Sequence, residues 1–271
     1  MSVPAGRRIL LVGCGKMGRA LAQGWLDRGL DPRSLIAVDP SADAARAGID
    51  LRVRVVGALA DAGDFQPDWV VLAVKPQTLA AAAAPYRRFT GSATFLSILA
   101  GKTIAGLSAA LGGGAIVRSM PNTPAAVGRG ITVACAGPGV SAAARRECTG
   151  LLEAVGEVAW IEDEALMDAV TAVSGSGPAY VFLLIECLAE AGIAAGLPAP
   201  LAHQLARATV AGSGELAHLS TEPAAVLRQN VTSPGGTTEA ALQVLMAPGA
   251  LAKLLQDAVA AAAKRSRELA G

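Results

Sequence analysis

The stretch "RRILLVGCGKMGRALAQGWL" constrains the chain more than any other. Ile9 to Val12 is a short apolar run that reads as a buried strand. It passes directly into Gly13, Gly15 and Gly18, spaced G-x-G-x-x-G, and then into a helical pattern that stops near Gly29. The glycine spacing alone is weak. Between a strand and a helix it acquires a mechanism: a turn that holds a dinucleotide. Gly13 permits the tight turn, Gly15 lets backbone approach a pyrophosphate, and Gly18 lets helix and strand pack closely. The helix start offers oriented N–H groups to phosphates. Gly13, Cys14, Gly15, Lys16, Met17 and Gly18 are therefore the expected cofactor contacts in this turn.

Further strands follow at "LIAVDP", "RVV", "DWVVLAVKP", "TFLSILAG", "AIVRSMPN", "GITVACAG" and "EVAWIE", with helical segments between several of them. That alternation predicts an α/β domain with a parallel, doubly wound sheet. From Glu164 onward no strand pattern remains. "EALMDAVTAVSGSGPAYVFLLIECLAEAGIAAG" reads as a helix, a glycine break and a long apolar helix. The later segments, "PAPLAHQLARATVAGSGELAHL" and "GTTEAALQVLMAPGALAKLLQDAVAAAAKRSREL", are also helical. The expected division is a dinucleotide-binding domain over 1–163 and an all-α domain over 164–271. These helices are apolar around much of their circumference. A domain of this size cannot bury so much apolar surface alone, so a second copy is the expected cover.

Composition narrows the function. Apolar residues make up 52% of the 271, enough for a sizeable core. Net charge is +1 with no basic block, so nucleic-acid binding has no electrostatic footprint. The longest apolar runs are too short or too interrupted to predict a membrane span. The opening segment fits a first strand better than a signal peptide. Cys14, Cys135, Cys148 and Cys187 are scattered, which suits thiols in a reducing cytoplasm. His203 and His218, the only histidines, have no ligand cluster beside them, so no metal site is expected.

Asp39 ends the second strand. An acidic side chain there accepts hydrogen bonds from the adenosine ribose and repels a 2′-phosphate, which favours NADH over NADPH. Ser41 and Arg46, just beyond, are able to receive a phosphate and pull the other way. Ala73, Val74, Lys75 and Pro76 close the strand "WVVLAV", at the edge where such sheets bind ligands. Lys75 is either a solvated strand cap or a contact near the nicotinamide ribose. Asn122, in "SMPNTP", either fixes the nicotinamide amide or caps a turn between two prolines. In "AVSGSGPAYVF", Pro178 falls early in a new helix. Ser174 and Ser176 there mark a helix corner or a ligand contact.

The most informative stretch is "VTSPGGTTEAAL". Pro234 keeps Ser233 out of a helix, and Gly235 and Gly236 free the backbone. Thr237 or Thr238 then caps the helix that begins at Glu239. Successive N–H groups at a helix start, flanked by hydroxyls, make an anion receptor whose natural guest is a carboxylate.

Together "VGCGKMG", "LAVKPQ", "RSMPNTPAAV", "AVSGSGPAYVF" and above all "LRQNVTSPGGTTEAAL" make the chain resemble the pyrroline-5-carboxylate reductases over nearly its whole length. The resemblance implies a Rossmann domain followed by a helical dimerisation domain, with the active site at the dimer interface. It also implies the last step of proline biosynthesis, in which hydride passes from NAD(P)H to a cyclic imine carrying a carboxylate. The carboxylate would then lie on the N–H groups of Gly236 and Thr237, helped by Ser233. The Thr238 hydroxyl would meet the ring nitrogen as the catalytic group. Gly235 and Ser176 complete the implied substrate set. The implied assembly is a homodimer, with further association, such as a decamer, left open. No asparagine stands in "VVGALADAGD", where some relatives place a ribose contact.

Two other dehydrogenase chemistries fit less well. A β-hydroxyacid dehydrogenase needs a lysine at the start of the helical half, and none lies between Glu164 and Lys253. A lactate-type enzyme needs a catalytic histidine, and His203 and His218 sit in ordinary helical patterns. A nucleotide-binding regulator without turnover would have no use for the late anion loop.

Overall fold

A computed structural model describes residues 6–50 and 52–270, the last by its backbone alone. Residues 1–5 of the opening segment, Leu51 and Gly271 lie outside the described residues. The chain divides into two compact units, Met1–Gly175 with Ala263–Gly271, and Ser176–Ala262.

The first unit is built on one sheet. Its strands are β1 (Ile9–Val12), β2 (Leu35–Val38), β3 (Arg54–Val56), β4 (Trp69–Leu72), β5 (Thr94–Ser97), β6 (Ile116–Met120), β7 (Gly130–Ala136) and β8 (Gly156–Ile161). They lie in the order β3-β2-β1-β4-β5-β6-β7-β8. Helices α1 (Lys16–Asp27), α2 (Ala42–Arg46), α3 (Leu79–Ala83), α4 (Ile104–Leu111) and α5 (Ala142–Leu152) connect several of them. Successive residues of β1 feed opposite faces. Ile9 and Leu11 pack with Leu21, Trp25 and Leu151, while Leu10 and Val12 pack with Tyr86, Phe89 and Leu107. Both faces are thus covered, which is why the strands read as continuous apolar runs rather than alternating ones.

β1 to β6 pair parallel throughout. The expectation of a wholly parallel sheet needs one correction: β7 runs antiparallel to β6, and β8 then pairs parallel with β7. The cause is the short link from Met120 to Gly130. It is a single 3₁₀ turn, Thr123–Val127, ended by Gly128 in the left-handed region (φ 69°). A parallel crossover needs a dozen or more residues, so a link this short can only reverse the chain.

The strand order reverses between β1 and β4, both of which leave their carboxyl ends at the same edge. Crevices at such switch points are where doubly wound sheets bind ligands. On β6, the buried Arg118 pairs with Glu164 at 2.8 Å. The same carboxylate oxygen accepts the Ile104 N–H at the start of α4 at 2.7 Å.

Beyond β8 every regular element among the described residues is helical: α6 (Met167–Val170), α7 (Gly177–Ala194), α8 (Ala199–Leu219), α9 (Ala224–Asn230), α10 (Thr237–Leu245) and α11 (Leu251–Ala270). The glycine break at "SGSG" does not end the helical path as expected. A π-helical turn, Thr171–Gly175, absorbs it and α7 follows. Glu164–Ala194 is consequently long and apolar enough, by length and composition, to cross a membrane, and almost none of it is buried. The expectation of runs too interrupted for a span therefore does not hold for this segment. α9 is an element the sequence reading left out. Within Ser176–Ala262, α7 and α8 pack on each other. They expose Phe182, Leu183, Leu184, Leu205 and Leu216.

Candidate active site

The glycine turn is shaped by three different constraints. Gly13 sits at φ +93°, and a Cβ there would meet the Ala73 carbonyl oxygen at 2.6 Å and the Val74 nitrogen at 2.9 Å. Only glycine lets the ends of β1 and β4 approach this closely. A Cβ on Gly18 would be driven into the Gly13 carbonyl. Gly15 is different: its φ is −71° and a Cβ would meet nothing within 4 Å. No protein atom requires a glycine there. The space it leaves lies beside the start of α1, whose first internal bond is Arg19 N–H to the Gly15 carbonyl at 2.9 Å. The N–H groups ahead of that bond are the orphan donors of the helix start. The residues present fit a dinucleotide pyrophosphate, because an open surface and unspent donors coincide.

Asp39 binds this turn from the side. Its Oδ2 accepts the Cys14 N–H at 2.7 Å and its Oδ1 accepts the Ser41 N–H at 2.9 Å. The carboxylate therefore tethers the glycine turn to the end of β2. The Cys14 thiol is buried, and burial pushes its pKa up; Arg19 opposes the shift and Asp39 reinforces it. It remains a neutral thiol at pH 7, and Met17 packs against the core. Arg46 is turned toward the sheet, donating to the Val55 carbonyl at 2.9 Å.

Lys75 is exposed and starts a 3₁₀ turn, Pro76–Thr78, with the Thr78 N–H and hydroxyl bonded back to its carbonyl. Asn122 is committed on one side: its Oδ1 accepts the Ile131 N–H at 3.0 Å, clamping the β6–β7 reversal. Ser176 stands at the start of α7 without capping it by its side chain. Ser174, in the π turn, is the one residue among those described with a buried side-chain polar atom lacking a hydrogen-bond partner.

The late loop is ordered by its own bonds. Gly235 adopts φ +70° and its N–H donates to Glu239 Oε2 at 2.6 Å. Gly236 caps α10, and its N–H donates to the Ser233 carbonyl at 3.0 Å. The Gly236 N–H, one of the expected carboxylate donors, is thus engaged inside the turn here. The first intrahelical bond is Ala240 N–H to the Gly236 carbonyl, so the open donors are those of Thr237, Thr238 and Glu239. The Thr238 side chain is half-buried and that of Thr237 is exposed. Glu239 was not singled out in the sequence reading. Its position three residues after the N-cap is the signal that finds it.

The glycine turn, Asp39 and the Ala73–Pro76 strand end thus flank the switch point of the first unit, Asn122 lies three strands away after β6, and the late loop belongs to the second unit. Among the described residues no three His, Cys, Asp or Glu side chains converge as metal ligands.

A doubly wound sheet with a glycine turn at its switch point, followed by a helical half, has the architecture of the nicotinamide-dinucleotide oxidoreductases. Residues 8–101 match the family described as NADP oxidoreductase, coenzyme F420-dependent. Residues 164–269 match pyrroline-5-carboxylate reductase dimerisation. The pyrroline-5-carboxylate reductase of Pseudomonas aeruginosa is 42% identical, covering 100% of this chain and 98% of its own. That of Pisum sativum is 38% identical over 95% and 94%. The solved Coxiella burnetii pyrroline-5-carboxylate reductase superposes with a TM-score of 0.90 at 34% identity, covering 97% and 98%. The Plasmodium falciparum pyrroline carboxylate reductase with NADP bound does so at 0.81 and 30%, covering 98% and 99%. The chain belongs to the pyrroline-5-carboxylate reductase family.

Proposed function

We propose that this chain reduces 1-pyrroline-5-carboxylate to L-proline with NAD(P)H, with Thr238 as the catalytic residue. The observation that carries the reading is the α10 loop: unspent amides and a half-buried hydroxyl at a helix start, in a chain of this family. The substrate carboxylate lies on the Thr237 and Thr238 N–H groups, with the Ser233 hydroxyl beside it. Gly235 and Gly236 shape the turn, and Ser176 lines the substrate from the start of α7. The Thr238 hydroxyl accepts a hydrogen bond from the ring nitrogen of the protonated imine. With the imine already protonated, no strong general acid is required. A reduced nicotinamide dinucleotide held by the glycine turn and the Ala73–Pro76 strand end would supply the hydride for the imine carbon. What remains for the protein is orientation and exclusion of water.

Residues 1–163 bind the dinucleotide through the glycine turn, Asp39, the strand end Ala73–Pro76 and the free amide of Asn122. Residues 164–271 dimerise and hold the substrate. NADH is favoured over NADPH because the acidic Asp39 ends β2, where it would repel a 2′-phosphate, and Arg46 donates to the Val55 carbonyl. The exposed apolar faces of α7 and α8 pair two copies, so that the loop of one subunit meets the cofactor of its partner. Dimers assemble further, a decamer being one closed arrangement. The enzyme works in the cytoplasm on a small molecule, without nucleic acid or membrane. Formation of proline from the imine by the purified chain tests the proposal.

A further inference from the structure

The loop that receives the carboxylate holds a negative charge of its own. Glu239, in the first turn of α10, reaches back to the Gly235 N–H at 2.6 Å. That residue sits in the left-handed region at φ +70°, and the following Gly236 N–H is taken by the Ser233 carbonyl. Two consecutive N–H groups are thereby occupied inside the turn, and the next donors, Thr237 and Thr238, are left open. Without an acceptor at Oε2, the Gly235 N–H would need another partner, and a glycine pair offers little resistance to rearrangement. Glu239 also lines a cleft of about 440 Å³ on the same corner with Arg228, Gln229, Thr232 and Gln243. Its charge opposes a guest anion at the same helix start, while the Gly235 N–H and the helix N-terminus favour that charge.

We infer that Glu239 is a positioning residue for the substrate carboxylate: its hydrogen bond to Gly235 fixes the turn that presents the Thr237 and Thr238 amides. This rests on the carboxylate binding those amides, as proposed above. A hydrogen bond involving a charged group is worth roughly tenfold or more in an equilibrium. Glu239→Ala is expected to raise KM for 1-pyrroline-5-carboxylate about tenfold. Both kcat and the cofactor dissociation constant should stay near wild type. Glu239→Gln keeps an acceptor oxygen and removes the charge, so its KM should fall clearly below that of Glu239→Ala, toward the wild-type value.

Steady-state kinetics of both variants, with cofactor binding followed by nicotinamide fluorescence, decide the matter. A wild-type KM in Glu239→Ala overturns the inference. So does an equal rise in both variants, which would assign the effect to charge. A parallel loss of cofactor affinity overturns it too, as general damage. The underlying reading is tested separately with Thr237→Pro. Proline is tolerated at a first helical position and deletes the N–H along with the Thr237 side chain, for which Thr237→Ala is the control, and Gly236 (φ −85°, ψ 171°) already has the extended backbone proline requires before it. A raised KM there supports the amide cradle. An unchanged KM places the carboxylate elsewhere, whatever Glu239 does.

Discussion

The Asp39 carboxylate accepts the Cys14 N–H at 2.7 Å, so the residue that ends β2 also holds the glycine turn in place. One side chain therefore has two separable effects, one geometric and one electrostatic. Asp39→Ala removes both and should weaken NADH and NADPH binding together. Asp39→Asn keeps one acceptor and loses the charge. The ratio of kcat/KM for NADPH to that for NADH should then rise about tenfold, the effect of removing roughly one close repulsion. A wild-type enzyme that already prefers NADPH strongly would show the charge argument to be wrong.

Gly15 and Gly18 should respond oppositely to alanine. Gly15 has an ordinary φ and an open environment, so Gly15→Ala should leave the fold intact or stabilise it by about 0.5 kcal/mol. Its new methyl group stands where the pyrophosphate approaches, so cofactor affinity should fall. Gly18→Ala forces a methyl into the Gly13 carbonyl and should lower the melting temperature. Thermal melts with and without cofactor separate the two cases.

These glycines show how much the sequence made legible. The strand–turn–helix context assigned each of them a role, and close backbone contacts account for glycine at Gly13 and Gly18, while Gly15 faces open space. The reversal of β7 was not legible, because apolar runs reveal strands and not their direction. That direction followed from the brevity of the Pro121–Arg129 link. The π turn at Thr171–Gly175 was hidden because glycines mark a break without saying how the backbone absorbs it. In the late loop, glycine and hydroxyl composition pointed to an anion receptor. Which amides are open depended on the Gly236 and Glu239 hydrogen bonds, and those need coordinates.

The Arg118–Glu164 pair should matter for stability. Arg118 is almost fully buried and Glu164 largely so. Glu164→Ala strands the guanidinium and removes the acceptor for Ile104 N–H, at a cost of about 3 kcal/mol. The double variant Arg118→Met with Glu164→Leu should recover most of that loss. Denaturant midpoints of the three proteins provide the check.

Phe182 and Leu183 are each more than half exposed on α7. Leu183→Glu should put a charge into the paired helices and shift the protein toward monomer in light scattering after size exclusion. A variant with the wild-type mass would remove this face from the interface.

The most direct measurement follows L-proline formation from 1-pyrroline-5-carboxylate, with NADH and with NADPH, by wild type and Thr238→Ala. The wild type should form proline in step with oxidation of the nucleotide. Thr238→Ala should turn over about a hundredfold more slowly with its cofactor dissociation constant unchanged. Absence of proline with either nucleotide, or full activity in Thr238→Ala, would contradict imine reduction at the α10 loop.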